Sequence, residues 1–304
     1  MHRLRALAPW WVRLAVKIAL APIPYRVWQR TSLFRHGGMQ RVSYVRGVFE
    51  KHHGFVGPLP SECVLLEIGP GDSIGSALLA SAIGASQTYL VDVGLFASSD
   101  VRLYRTMARS LADAGYAVPD ISHVENMPDL LAACRARYLT DGVKSLASIP
   151  AGSVDFAWSN AVMQSVHRDE MHGLANELRR ILKPAGVSSH TIDFTDLLGG
   201  ALNHLRVPAT LWESRWVKGS GAYTNRLRCS EMLDLFREAG FSVEIITKKT
   251  WTELPTRREA MSARFRRMAA DDLLTYHLDV VMRPQGDVYE LARAQPRRSA
   301  PPGG

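Results

Sequence analysis

Cysteine is scarce in this 304-residue chain. Cys63, Cys134 and Cys229 lie far apart, are odd in number and form no C-x-x-C pair. That excludes a disulfide framework and the spaced thiolates of a structural zinc site, and it makes a reducing cytoplasm the simplest compartment. Long uninterrupted apolar runs are lacking as well. The stretch LAPWWVRLAVKIALAPIPYRVW is apolar and aromatic, but Arg13 and Lys17 interrupt it. It therefore makes a poor transmembrane span and a poor signal-peptide core. No internal repeat is visible. An apolar content of 46% with 22% charged residues excludes disorder as the main state.

Positive charge is present in excess. The formal charge is +8 and the pI about 9.6, with much of the excess in the two ends. Such a balance suits an anionic partner (a nucleotide-linked metabolite, a phospholipid face, an acidic glycan, nucleic acid) or merely biases solubility. Near the start, Leu4, Leu7, Trp11, Leu14 and Ile18 fall at helical spacing, with Arg13 and Lys17 one turn apart on another face. That pattern fits a helix lying peripherally on a membrane surface. It fits equally a helix that lids a site or packs on a domain, and the lid or packing reading is favoured. Trp10 and Trp11 read as packing residues. The C-terminal tail, 291–304, is rich in Pro, Gly and Arg and reads as disordered.

Residues 1–60 read as a helical extension or lid ending at the turn Gly57-Pro58-Leu59-Pro60. Cys63–Ile68 and Thr88–Val93 are short apolar runs of the kind that form buried parallel strands. Between them lie the turn GPGDSIG and the helical stretch Ser76–Ile83, completing a βαβ unit. Helices are expected over 100–116, 127–137 and 169–183, the last stopped by Lys183-Pro184-Ala185-Gly186. Strands are expected over Tyr138–Asp141, Val154–Ser159 and Val187–Asp193. A helix over Glu231–Ala239 has Ser230 as its candidate N-cap. Phe241–Thr247 and His277–Met282 form a candidate antiparallel closing pair. The fold class expected is α/β, doubly wound and Rossmann-like, with a mostly parallel sheet, an antiparallel closing strand and an N-terminal helical extension.

Strand, glycine turn, helix and a second strand ending in an acid form a nucleotide-binding arrangement. Gly69 and Gly71 allow a tight turn and close approach to a ligand. Asp92 is placed to accept from both ribose hydroxyls. A dinucleotide fingerprint needs G-x-G-x-x-G, but here the third glycine, Gly75, comes one place late. Glu67, just before the turn, would repel a pyrophosphate and would suit a cofactor carrying a sulfonium and an ammonium group.

These residues resemble the class I S-adenosylmethionine-dependent methyltransferases, in particular the group sharing the type 11 methyltransferase domain. The resemblance spans about 62–193 and rests on five motifs in order: LEIGPGD from Leu66, VDV from Val91, YLTDG from Tyr138 with the later Ile149-Pro150, SVDFAWSN from Ser153, and LRRILKPAG from Leu178. It implies a methyltransferase domain over 61–290, with an acceptor-side insertion at about 194–228, and S-adenosyl-L-methionine as cofactor. By position, Gly69, Pro70 and Gly71 would line the methionine moiety and Asp92 with Val93 the ribose. Asp141 with Gly142 would meet the adenine, and Ser159 and Asn160 the methionine end. Many relatives carry Glu-His after the fourth strand. This chain has Met163-Gln164-Ser165-Val166 there, so that histidine is absent, and His167 lies two residues further on.

Methyl transfer from a sulfonium is an in-line displacement for which the protein mainly supplies proximity and orientation; a hydroxyl acceptor also needs a base. Candidates follow the fifth strand, at the carboxyl edge where open α/β sheets bind ligands. His190 is the first candidate base, with Asp193 and His167 as further catalytic candidates; for His190 the competing reading is a satisfied core histidine. Asn203 and His204 are read as capping rather than substrate-binding residues, and Arg226 and Arg228 as a solvated pair. Asp193 and Asp196 are too ordinary a pair to predict a metal, and none is expected.

The segment from Ser188 to Phe241 is also similar to bacterial methyltransferases associated with surface-polysaccharide assembly, a likeness that covers about residues 22–282. That likeness implies a sugar hydroxyl, on a glycan or an activated glycosyl intermediate, as acceptor. The alternatives are a small-molecule O- or N-methyltransferase, a methyltransferase-fold scaffold without chemistry, and a nicotinamide-dependent oxidoreductase. Nucleic acid is not expected as substrate: Asn160 is followed by Ala161-Val162-Met163, not by the Pro-Pro-aromatic run of base-methylating enzymes.

Overall fold

A computed structural model describes residues 8–22 and 38–286. The expectations for Leu4, Leu7 and the 291–304 tail lie outside the described residues. Helices α1 (Trp10–Leu20) and α2 (Val42–Val56) precede β1 (Val64–Ile68), α3 (Ser76–Ala82) and β2 (Gln87–Val91). Helices α4 (Val101–Asp113) and α5 (Met127–Ala133) lead to β3 (Ala136–Leu139) and then β4 (Val154–Asn160). Next come α6 (Met171–Ile181), β5 (Leu182–Asp193), α7 (Cys229–Glu238), β6 (Phe241–Thr250) and β7 (Thr275–Pro284).

The seven strands form one sheet in the order β3-β2-β1-β4-β5-β7-β6. Strands β1 to β5 run parallel, and β7 is antiparallel to both β5 and β6. This is the expected doubly wound, Rossmann-like architecture with a closing antiparallel strand. The order reverses between β1 and β4, so the carboxyl ends of β1 and β4 open the crevice where ligands of such sheets bind.

Alternation along each strand builds two cores. Leu66, Ile68, Ala157, His190, Ile192, Leu278 and Val280 face α6 and α7. Leu65, Phe156, Trp158 and Val281 face the layer of α2, α3, α4 and α5. Helix α2 belongs to that layer: Val45, Val48, Phe49 and His52 are buried, and Phe49 meets the Trp158 ring edge-on at 5.6 Å. Each such fully buried apolar side chain stabilises the fold by about 1.5–3 kcal/mol.

Several boundaries differ from expectation. Helix α5 ends at Ala133 rather than at 137, Arg135 adopts φ +48°, and β3 runs Ala136–Leu139 rather than Tyr138–Asp141, so Asp141 lies past the strand. Helix α6 ends at Ile181, and Leu182 already pairs with Val154, so Lys183–Gly186 is a bulged stretch within β5 rather than a free turn. A Cβ on Gly186 would stand 2.9 Å from the carbonyl oxygens of Val154 and Lys183, which is why the chain passes there only as glycine. Helix α7 starts at Cys229, with Arg228 as N-cap, its amide donating to Glu231 at 3.1 Å. Ser230 is instead tied by its amide and hydroxyl to Asp272.

Between β5 and α7, residues 194–228 form one-turn helices, including Ala209–Trp212 and Arg215–Lys218. Helix α1 packs there, with Leu14, Trp10 and Ile18 against Leu198, Val207, Trp212 and Val217. Among the described residues no helix is long and apolar enough to cross a membrane.

Candidate functional site

The glycine turn after β1 is shaped by its backbone. Gly69 has φ +74° and donates its amide to the Val91 carbonyl at 2.8 Å. A Cβ there would fall 2.4 Å from Val162, so the β4 loop closes directly on it. Gly71 has φ +69°, and nothing lies within 4 Å of where its Cβ would be. One glycine therefore serves close packing, while the other leaves its outward side open.

Asp92, just past β2, takes the Gly71 amide on one oxygen at 3.1 Å and the Val93 amide on the other at 2.8 Å. Burial pushes its carboxyl up to about 6 despite those bonds. The carboxylate thus keeps unused lone pairs beside an open turn, a suitable acceptor for a vicinal diol. Val93 is 72% exposed, and Gly142 (φ +57°) approaches it so closely that a Cβ would stand 3.0 Å from Val93 Cγ1. The Gly142 amide donates to the Asp92 carbonyl at 2.9 Å. Asp141 is exposed alongside, its amide donating to Ser145. An apolar shelf flanked by two carboxylates fits a nucleoside.

Glu67 is placed differently. It is 2% exposed, beneath the turn, and accepts from the Ser76 hydroxyl and from Trp158 Nε1 at 3.2 Å. Burial pushes its carboxyl up to about 7, against the two hydrogen bonds and with help from Asp92. It ties α3 to β1 and β4, and it does not stand open to a ligand's ammonium group as the sequence suggested. Ser159 is likewise fully buried, its hydroxyl bonded to His190 Nδ1 at 2.8 Å, so only its backbone can face the crevice.

His190 is a core residue. It is fully buried, stacked on Phe236 with centroids 6.2 Å apart, and lowered to about 3 by burial and then by His52. A base must reach the proton it removes, and this imidazole faces the α7 side of the sheet interior. Asp193, at the end of β5, remains partly exposed; it accepts the Thr195 amide at 2.7 Å and lines a narrow crevice with Gln164, His204 and Asn225. His167 is also partly exposed, edge-on to Tyr223 at 5.1 Å and 3.8 Å from Glu170.

The expected solvated arginine pair is buried. Arg228 is fully enclosed and donates to the carbonyls of Phe194, Asp272, Leu273 and Thr275, clamping the insertion to β7. Arg226 lies between the Trp212 and Phe265 rings and donates to the Val207 carbonyl at 2.8 Å. His204 is buried rather than capping. Asp196 spends its carboxylate on the amides of Leu198, Gly200 and Asn203.

One group of residues was only partly legible: Asn160 was expected at the methionine end, but Lys51, His277 and Asp279 carried no sequence signal. On the α2 side of the sheet, Lys51 Nζ donates to Asn160 Oδ1 at 2.9 Å and to Thr191 Oγ1, and stands 3.5 Å from Asp279. Thr191 in turn donates to Asp279 Oδ1, and His277 Nε2 meets Asp279 Oδ2 at 3.0 Å. Burial alone would raise the Asp279 carboxyl, but Thr191, His277 and Lys51 outweigh it and hold it low. Burial lowers the Lys51 ammonium, with Asp279 opposing. The Tyr44 hydroxyl accepts from Asn160 Nδ2 at 3.2 Å. Four elements thus converge on the carboxyl ends of β4 and β5. A cleft of about 580 Å³ lined by Asn203, Arg206, Thr256 and Arg257 shares no lining residue with this group or with the glycine turn.

Residues 104–189 match the family model described as a methyltransferase domain. No curated protein matches the chain. Among solved structures, the chain is similar to a SAM-dependent methyltransferase of Methanosarcina mazei (18% identity, 77% of this chain and 99% of that one, TM-score 0.46). It is also similar to geranyl diphosphate C-methyltransferase of Streptomyces coelicolor (13% identity, 79% of each chain, TM-score 0.44). A third is a chain from the Haloferax volcanii complex of the Trm112 activator with a methyltransferase (16% identity, 81% of this chain and 95% of that one, TM-score 0.42). Sheet order, glycine turn and matched domain define the class: an S-adenosylmethionine-dependent methyltransferase.

Proposed function

We propose that this enzyme methylates a sugar hydroxyl, on a glycan or an activated glycosyl intermediate. When bound, S-adenosylmethionine supplies a methyl group on a sulfonium centre. Asp92 would accept from its ribose hydroxyls. Val93, Asp141 and Gly142 would hold its base, and Gly69 to Gly71 with Asn160 its methionine end. The observation that carries the acceptor reading is the hydrogen-bonding face of Lys51, Asn160, Thr191, His277 and Asp279 beside that end. It offers both donors and acceptors, as a polyol requires. His277, partly exposed and oriented by Asp279, replaces His190 as the candidate base, with Asp193 and His167 as further acceptor-side groups. The charge of the chain suits a phosphate-linked or lipid-linked acceptor.

The test is transfer of isotopically labelled methyl from S-adenosylmethionine to nucleotide sugars and lipid-linked glycans, beside phenols, amines and small acids. Label in a sugar hydroxyl, lost in His277→Gln with cofactor affinity retained, is the expected outcome. Label only in phenols, amines or acids would replace this reading with small-molecule methylation. Cofactor binding without transfer to any acceptor would favour a scaffold.

A further inference from the structure

Helix α1 is amphipathic in an inverted sense. Its two cations point into the protein: Arg13 donates to the Leu198 carbonyl at 2.6 Å and Lys17 to the Gly221 carbonyl at 2.9 Å. Leu14 is buried on the same side. The outward face of residues 9–22 is Pro9, Trp11, Ala15, Val16, Ala19 and Pro22. It carries no charge, and Trp11 is 60% exposed. The insertion against which α1 packs exposes more apolar surface. Leu197, Leu211 and Trp216 are each exposed next to a residue of the shared cluster, Leu198, Trp212 and Val217. Arg215 covers the Trp216 ring at 4.6 Å, and Arg206 covers Trp10 at 5.0 Å.

The charge is placed accordingly. Residues 1–49 hold nine Lys and Arg and no Asp or Glu, and the 28 basic and 29 acidic residues that follow leave the remaining chain at −1. The +8 of the protein therefore belongs to the segment that contains α1. Within 197–221 the sole acid is Glu213, which is engaged by Tyr223, Lys218 and Arg226.

We infer that the outward face of α1, with Trp216 beside it, docks on an anionic lipid bilayer. Exposed tryptophans flanked by arginines favour the headgroup boundary. An acid-free basic segment adds attraction of about 1 kcal/mol per cation near a charged leaflet. A protein partner or a second copy would equally cover an apolar face, but neither accounts for nine basic and no acidic residues over 1–49, the segment that carries it. The inference does not depend on the acceptor proposed above.

The test is co-sedimentation of the full chain with vesicles of phosphatidylcholine alone and of phosphatidylcholine with phosphatidylglycerol, at physiological ionic strength. Sedimentation with the anionic vesicles is expected, reduced about tenfold or more by Trp11→Glu and less by Trp216→Glu. Both positions are exposed, so thermal unfolding and S-adenosylmethionine affinity should match wild type and show that the variants fold. Absence of binding to anionic vesicles, or equal binding by Trp11→Glu, overturns the inference. So does self-association in sedimentation equilibrium that Trp11→Glu abolishes, because the face would then be an interface between copies.

Discussion

The cradle at β1 and β2 and the polar face at β4, β5 and β7 lie at the same end of one sheet, yet they are built by opposite means. The cradle is backbone: two glycines at positive φ, amides converging on Asp92, and strand ends that follow one another within about thirty residues. The polar face is side chain, drawn from Lys51, Asn160, Thr191, His277 and Asp279 across more than two hundred positions. A backbone cradle tolerates little variation, because geometry dictates residue type. A side-chain face can be altered without disturbing the sheet, and this is where acceptor choice can vary while the cofactor stays the same.

The contrast is broken most severely at Gly69. Gly69→Ala places a methyl on Val162 in a strained backbone conformation, and a loss of about 3–5 kcal/mol in denaturant unfolding is expected. Adding Val162→Ala should recover part of that loss and leave the cost of φ. On the polar face, Lys51→Met removes the cation shared by Asn160, Thr191 and Asp279. A smaller loss of about 1–3 kcal/mol is expected, with the Asp279 carboxyl rising when followed by NMR titration.

Beneath the cradle, Glu67 tests the buried carboxyl. Its folded value of about 7 lies above the ordinary 4.5, so ionisation is disfavoured in the fold and stability is lost as pH rises through 7. Glu67→Gln removes that loss. The variant should be more stable than wild type by about 1–2 kcal/mol near pH 8, with the difference fading toward the unfolded value. The smallest effect is at His190. His190→Phe strands the Ser159 hydroxyl and should cost about 1 kcal/mol at neutral pH without changing cofactor affinity. Because the folded value is lowered to about 3 from 6.5, wild type loses stability as pH falls from 6.5 toward 3. The gap to the variant should therefore close within about one pH unit below 6.5 and reverse at lower pH. Unchanged stability with abolished methyl transfer would restore His190 as a base.

What was legible in the sequence follows the same division. Most strands, the glycine turn and Asp92 were readable because each is fixed by local pattern: apolar runs, Gly at turns, an acid at a strand end. The antiparallel pair of β6 and β7 was readable from its spacing. His190 was named for its type and place, but alternation along β5 points it inward, while its neighbour Thr191 faces the polar group. Lys51 and His277 carried no signal, because α2 reads as an ordinary amphipathic helix and His277 as one residue of a closing strand. Arg226 and Arg228 read as surface charges because carbonyl partners from six other residues become visible only after folding.

The central claim is that the cradle holds S-adenosylmethionine through Asp92. Titration calorimetry of the cofactor into wild type and Asp92→Ala tests it directly. Micromolar binding by wild type, weakened about 100-fold or more in a variant that unfolds at a similar temperature, is predicted. Equal binding by both proteins, or none by folded wild type, would contradict it.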